Sequence, residues 1–348
     1  LDPSATSVSM DYAVSVLMPL DRAREGLQLL AAAAVRDRQR PDVPRLLAHI
    51  ADLKSDTAAV TGQGSSSQSD VLRRVLKVLE AIGPRSAYFA LLNENAHVRR
   101  KLVELAGYGE FLAAQIASHP LLLDELLDES SGGLPPPRAV LEEEVAARLT
   151  HLTEDEPERQ VEMLRHFQRA AIFRVAMADL TGHIPLMRVS DYLTDIAEII
   201  VEQAMRLAWS QMTAQFGVPH YRVGGERRVV RLCAVGYGKL GGNELGYASD
   251  LDLVFLHDSG TEGAETDADK PVDNQVFFIR FAQRAIHLLT MHSAAGRLYE
   301  VDVRLRPSGN GGMLTRHLGI IAGGPAPRAR GAAPPHSAAI IAATTSRI

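Results

Sequence analysis

Two aspartates one residue apart, Asp250 and Asp252, follow a glycine-rich turn formed by Gly236, Gly238, Gly241 and Gly242 in the stretch VGYGKLGGNELGYASDLDLVFLHD. That succession of residue types suits chemistry on a phosphate chain. Glycines let the main chain approach an anion closely and take positive φ angles, so backbone N–H groups can converge on phosphate oxygens. Alone the turn is a weak signal: it is neither the Gly-x-Gly-x-x-Gly of dinucleotide sites nor a P-loop, because Lys239 is followed by Leu240. The aspartates add to it. Residues two apart on a strand share a face and sit roughly 6 to 7 Å apart, so both carboxylates can converge on one point. They would repel unless neutralised, and magnesium is commonly held by one or two carboxylates together with substrate phosphates. The competing reading is a solvent-facing acidic edge or a loop cap. The flanking Leu251, Leu253, Val254 and Phe255 set the pair on a strand within a core instead.

A second acidic strand follows in Tyr299-Glu300-Val301-Asp302-Val303-Arg304-Leu305-Arg306-Pro307. Alternation puts Glu300, Asp302, Arg304 and Arg306 on one face and Val301, Val303 and Leu305 on the other. If this strand neighbours the first, one of its carboxylates can join the Asp-x-Asp pair. Three such groups can hold two divalent ions roughly 3.5 to 4 Å apart, the arrangement that activates an attacking oxygen and stabilises an in-line displacement. Arg304 and Arg306 can carry charge for a triphosphate or neutralise the acidic cluster, and residue type favours neither use.

The elements that must position these groups change character along the chain. Up to about residue 217 the pattern is helical. Leu193, Ile196, Ala197, Ile200, Ala204, Leu207 and Ala208 recur at three-and-four spacing, predicting a helix capped at Ser190 and ended by Gly217 and Pro219. Leu164, Phe167, Ala171, Val175 and Ala178 predict a preceding long helix, with a break at Gly182 to Pro185 and with Phe167 and Trp209 in the core. Further helical patterning spans Asp70 to Glu80 and Pro84 to Leu127. Residues 62–69 form a Gly/Ser/Gln linker, and residues 1–61 a poorly defined helical segment. From Val229 the texture turns to strands at Val229–Gly236, Leu251–Leu256 and Leu298–Leu305, with one helix over Val276–His292 carrying Phe277, Ile279, Phe281, Ala282, Ile286 and Leu289 inward.

Composition narrows the class. A chain of 348 residues with 46% apolar content has material for more than one core. Its net charge of −5 supplies no global cationic field, which disfavours a nucleic-acid partner. No run is long and apolar enough to span a bilayer, and no secretory leader is visible, so a cytoplasmic protein without a membrane partner is expected. Cys233 is the one cysteine; it excludes an intrachain disulfide or multi-thiolate metal site and reads as an inert core thiol.

The glycine turn, the Asp-x-Asp strand and the later third aspartate resemble the nucleotidyltransferase fold of the polymerase-beta type. The longer strings GYGKLGGNELGYASDLDLVFLHD and LYEVDVRLRPSGNGGML resemble, more narrowly, the C-terminal catalytic half of the bifunctional glutamine synthetase adenylyltransferase family. The likeness runs upstream through RSAYFALLNENAHVRRKLVELAG, HPLLLDELLD and FRVAMADLTGHIPLMRVSDYLTDIAE, covering about residues 70 to 315. It implies an α+β protein with a helical domain at 70–217, then a polymerase-beta-like nucleotidyltransferase α/β core with a small mixed sheet at 218–316. It also implies adenylylation of a tyrosine hydroxyl on glutamine synthetase, with ATP as substrate and Mg2+ as cofactor, under control of the PII signal protein. Carried over by motif, Asp250, Asp252 and Asp302 hold metal, and Asp302 is a candidate base. Gly241, Gly242, Lys239, Ser249 and Arg304 contact the nucleotide. The family's other half, which removes the adenylyl group by phosphorolysis, usually has a basic residue where Glu300 stands, which favours the adenylylating direction.

Beyond Thr315 the resemblance ends, and residues 317–348, rich in Ala, Pro and Gly and without Lys, Asp or Glu, are expected to be disordered. Their composition resembles out-of-frame translation of a GC-rich gene. Two other readings stand beside the preferred one: the same fold acting on another acceptor or in the phosphorolytic direction, and an inactive helical fragment with an incomplete catalytic unit.

Overall fold

A computed structural model describes residues 68–82, 86–127, 133–150, 152, 156–292, 296–303, 315–317 and 339–344. The expected segment 1–61 and most of the expected linker lie outside these; Gln68 and Ser69 already belong to the first described helix. Two compact units divide the chain: Leu1–Leu134 with Ala176–His183, and Pro135–Val175 with Ile184–Ile348. The division therefore does not fall at residue 217. The later helices share their core with the sheet and belong to the second unit.

In the first unit, α1 (Gln68–Ile82), α2 (Ser86–Glu94), α3 (Ala96–Tyr108) and α4 (Glu110–Ser118) lead into a 3-10 turn at Pro120–Leu126. The α1 stripe Val71, Val75, Val78 and Ile82 is buried where α1 packs on α3 and α4. Arg99 caps α2, donating to the Asn93 carbonyl at 2.8 Å.

The second unit takes α5 (Arg138–Leu149), α6 (Pro157–Leu180) as far as Val175, and α7 (Leu186–Phe216). Every α7 position expected in the stripe is buried, and so are Phe167 and Trp209. The helix nevertheless starts earlier than Ser190, at Leu186, directly after Pro185. Proline fixes its own φ, and Pro185, extended at ψ 152°, presents its carbonyl to the Arg188 amide (2.8 Å), so the helix starts there with no side-chain cap. Gly217 ends the helix at φ 78°, with no room for a side chain: a Cβ there would lie 2.6 Å from the Ala268 backbone nitrogen.

Two sheets follow. β1 (Pro219–Val223), β2 (Glu226–Val229) and β5 (Glu265–Thr266) form a small antiparallel sheet in the order β2-β1-β5. Its hairpin turns on Gly224 and Gly225, both at positive φ, as a two-residue loop between twisted strands requires. The main sheet has β3 (Leu232–Tyr237) antiparallel to β4 (Leu251–His257), and β6 (Val301–Asp302) parallel to the first residues of β4. β7 (Thr315–His317) runs parallel to the later part of β4, and β8 (Ala339–Thr344) pairs with the free edge of β3. β8 corrects the expectation of disorder for that stretch. The segment AIIAAT carries no charge, and the open edge of β3 offers hydrogen-bond partners to one side of its backbone.

Between β5 and β6 lies α9 (Asn274–Thr290), numbered after the short α8 turn (Gly238–Gly241), and capped by Asp273, whose carboxylate accepts from the Gln275 (2.8 Å) and Val276 (3.4 Å) amides. Its buried face is Phe277, Phe278, Phe281, Ala282, Ala285, Leu288 and Leu289; Ile279 and Ile286, expected inward, are half-buried on its flank. Trp209 of α7 meets Phe277 and Phe281 edge-on at 5.8 and 6.1 Å, and Phe281 meets Phe255 of β4 at 6.2 Å. At the head of α9, buried Asn274 donates to the His220 carbonyl (2.7 Å) and to the Ser259 hydroxyl (2.8 Å), tying β1 to the loop after β4. Asn274→Ala strands both acceptors and should lower the unfolding free energy by about 2 to 3 kcal/mol. Urea unfolding followed by circular dichroism measures this; a loss below about 0.5 kcal/mol, the range of ordinary surface substitutions, would assign those acceptors other donors.

Candidate active site

β3 runs into the tight turn α8, and β4 returns beside it, so the turn sits over the first residues of β4. Tyr237 is the register partner of Asp252. Asp252 is in turn the register partner of Asp302 across the parallel β4–β6 pair, anchored one step earlier by the Leu251 amide donating to the Glu300 carbonyl at 2.9 Å. Directly paired residues on neighbouring strands point to the same face. The two aspartates from distant parts of the chain are therefore brought together, both half-buried.

Gly238 completes this arrangement. It has φ 56°, and a Cβ built on it would stand 2.2 Å from Oδ2 of Asp252. The absent side chain is the space that the carboxylate fills. Asn243, at φ 54°, takes the left-handed conformation where the turn closes, a geometry tolerated by asparagine better than by most residues.

The other expected residues are placed less uniformly. Asp250 is exposed, one position before β4. Among the described residues no three carboxylate, imidazole or thiol groups converge on one point as a preformed metal cluster, so the backbone preassembles Asp252 with Asp302 and leaves Asp250 outside the pair. Gly241 is buried in the turn, and the Gly242 amide donates to the Gly238 carbonyl at 3.0 Å, which engages it within the turn. The Ser249 hydroxyl accepts from the Gly246 amide at 2.9 Å and braces the loop that delivers Asp250. Lys239 is exposed on the turn. Arg304 and Arg306 lie outside the described residues. Glu300, one residue before β6, is exposed and ion-paired with Arg297.

Sequence reasoning did not single out Asp258. Its carboxylate accepts from the Arg231 amide (2.7 Å) and from Arg231 Nε (2.6 Å), closing the β3–β4 pair at the end away from the turn. The signal was present as an acid at the end of one strand and a base at the start of its neighbour. Cys233 is half-buried on β3; burial first, and then the charge of Asp258, push its thiol pKa up, which keeps it protonated and unreactive.

Asp252 and Asp302 offer hard oxygen donors on one face beside a turn with an exposed lysine, which fits a magnesium–triphosphate group in donor type and charge. The family model for glutamate-ammonia ligase adenylyltransferase matches residues 99–322, which runs from within α3 through the turn and both acidic strands and leaves α1 and α2 outside. The chain belongs to this family. The match continues past Thr315, where the resemblance in sequence was expected to stop. Among proteins similar to this member of the glutamate-ammonia ligase adenylyltransferase family are three named bifunctional glutamine synthetase adenylyltransferase/adenylyl-removing enzyme. The one from Pseudomonas putida is 46% identical over 284 residues, covering 82% of this chain and 28% of the relative. That from Pseudomonas aeruginosa is 44% identical over 298 residues (85% and 29%), and that from Thioalkalivibrio sulfidiphilus 41% over 318 residues (86% and 32%). The chain thus spans less than a third of the length of these relatives. Its fold is α+β, a helical region followed by an α/β domain of nucleotidyltransferase type. No helix among the described residues is long and apolar enough to cross a membrane.

Proposed function

We propose that this chain carries the adenylyl-transferring site of its family, moving AMP from ATP to a tyrosine hydroxyl of glutamine synthetase. The observation that supports this above others is the register pairing of Asp252 with Asp302 against Gly238. The names of the relatives supply the acceptor protein. Magnesium bound with ATP would neutralise the triphosphate and help generate the attacking oxygen. The chain's own residues do the rest. Asp252 and Asp302 would hold the ion, and Asp250, exposed one position before β4, would supply a further carboxylate to it. Asp302 accepts the proton of the tyrosine hydroxyl as its oxygen attacks the α-phosphorus and pyrophosphate leaves. Lys239, Gly241, Gly242 and Ser249 would line the phosphate side, and Arg304, two residues after Asp302 in the sequence, would add positive charge. The PII signal protein is the proposed regulator and the cytoplasm the proposed compartment.

Glu300 favours the forward direction, because the phosphorolytic half of the family usually carries a basic residue at this position. The separating experiment incubates the chain with ATP and unmodified glutamine synthetase, and in parallel with phosphate and the adenylylated enzyme. Label transfer in the first reaction alone is expected, and label release in the second alone would reverse the assignment. Within the forward reaction, Asp302→Asn should reduce kcat by about a hundredfold or more and leave KM for ATP within a few-fold, because proton acceptance is engaged as charge develops. Glu300→Gln should reduce kcat by less. An exchange of severity between the two would make Glu300 the third carboxylate.

A further inference from the structure

α6 turns one face toward the connection that delivers Asp302. Arg165, Gln168 and Arg169 stand at i, i+3 and i+4, the spacing that places side chains together on a helix. Arg165, only 2% exposed, donates from Nη2 to the Met291 carbonyl at the end of α9 at 2.6 Å. Gln168, 7% exposed, donates from Nε2 to the Leu298 carbonyl at 2.6 Å. Gly296 lies close under Arg169: at φ 84°, a Cβ on it would be 3.3 Å from Nη2 of that arginine. The same glutamine reaches the Tyr299 phenol, whose pKa burial pushes up to about 12 against the pull of that hydrogen bond.

These contacts fall on a stretch whose own regular structure is slight, since β6 is only two residues long. Besides the α6 contacts, the chain approaching Asp302 is fixed by the Tyr299 amide donating to the Leu289 carbonyl (3.0 Å) and the Leu251 amide donating to Glu300 (2.9 Å). Buried amide and guanidinium groups are costly unless they hydrogen-bond; Arg165 is held from its own helix by Glu162 at 3.2 Å as well as by the Met291 carbonyl, while Gln168 Nε2 has the Leu298 carbonyl as its partner on the chain approaching Asp302.

We propose that Gln168, flanked by Arg165 and Arg169, is a positioning residue: it holds the Leu298 carbonyl and so sets where Asp302 stands beside Asp252. The role of Asp302 rests on the transferase reading above; the clamp itself does not.

The test uses the full 348-residue chain, its Gln168→Met variant, which keeps volume and removes the donor, and Gln168→Glu, which keeps shape and reverses the donor. Hydrogen exchange read by mass spectrometry should show protection across Tyr299–Val303 falling about tenfold in both variants, the scale of one lost buried hydrogen bond. β3 and α7 should keep theirs, which separates the effect from global destabilisation. In the transfer assay, kcat should fall with KM for ATP unchanged. Unaltered protection at Tyr299–Val303 in a folded variant overturns the clamp. Altered protection with undiminished kcat overturns its positioning role. A wild-type chain without transfer would sink the transferase reading, while the exchange result would still decide the clamp.

Discussion

Asp252→Asn is expected to abolish metal-dependent adenylyl transfer while leaving the chain folded. Asparagine keeps the shape that fills the space above Gly238 and removes the charge that a divalent ion and triphosphate require. Charge stabilisation of about 4 kcal/mol corresponds to roughly a thousandfold in rate, so turnover should fall by at least that factor. Asp250→Asn should follow the same direction with a smaller loss, because Asp250 is exposed and outside the register pair. Radiolabel transfer from ATP as a function of magnesium, with circular dichroism to verify folding, reads both. Unchanged turnover with normal metal dependence in Asp252→Asn would remove this residue from the site.

Gly238→Ala should rank next, and a matched control comes from the small sheet. Alanine at φ 56° meets the left-handed backbone penalty, about 1 to 2 kcal/mol. Gly224→Ala meets the same penalty at φ 58°, but a Cβ there has nothing within 4 Å, whereas at Gly238 it would stand 2.2 Å from the Asp252 carboxylate. Both variants should therefore lose similar stability in urea. Only Gly238→Ala should lose transfer, by about a hundredfold, the scale expected when a reacting group is displaced by an ångström. Equal activity losses in the two would make the effect one of general destabilisation and detach Gly238 from Asp252.

The contrast between these glycines also indicates what the sequence could convey. Hydrophobic period located α6, α7 and α9 because long stripes repeat one signal many times. Its limits lay where another force decided. Pro185 started α7 ahead of Ser190, and the Phe277–Phe278 pair turned α9 so that Ile279 and Ile286 became flanking residues. The β1–β2 hairpin escaped notice because β2 is exposed throughout, so no alternation marks it, although Gly224-Gly225 announced the turn. Residue types identified Asp252 and Asp302 and a parallel strand pair then joined them. Which glycine makes room for a carboxylate is a property of three-dimensional register, and it singled out Gly238 from four candidates. For the same reason Gln168 was legible only as one more helical residue.

The two edges of β4 also differ in the order in which they can be built. β3 and β4 are neighbours in sequence and antiparallel, so Gly238 and Asp252 meet by a short closure soon after both have been synthesised. β6 lies parallel to β4 on the other side, and a parallel neighbour must wait for the intervening α9 to form and dock. The contact between β3 and β4 therefore closes the shorter loop, so the glycine cradle with Asp252 is the more local half of the arrangement and Asp302 joins it only through a long-range pairing.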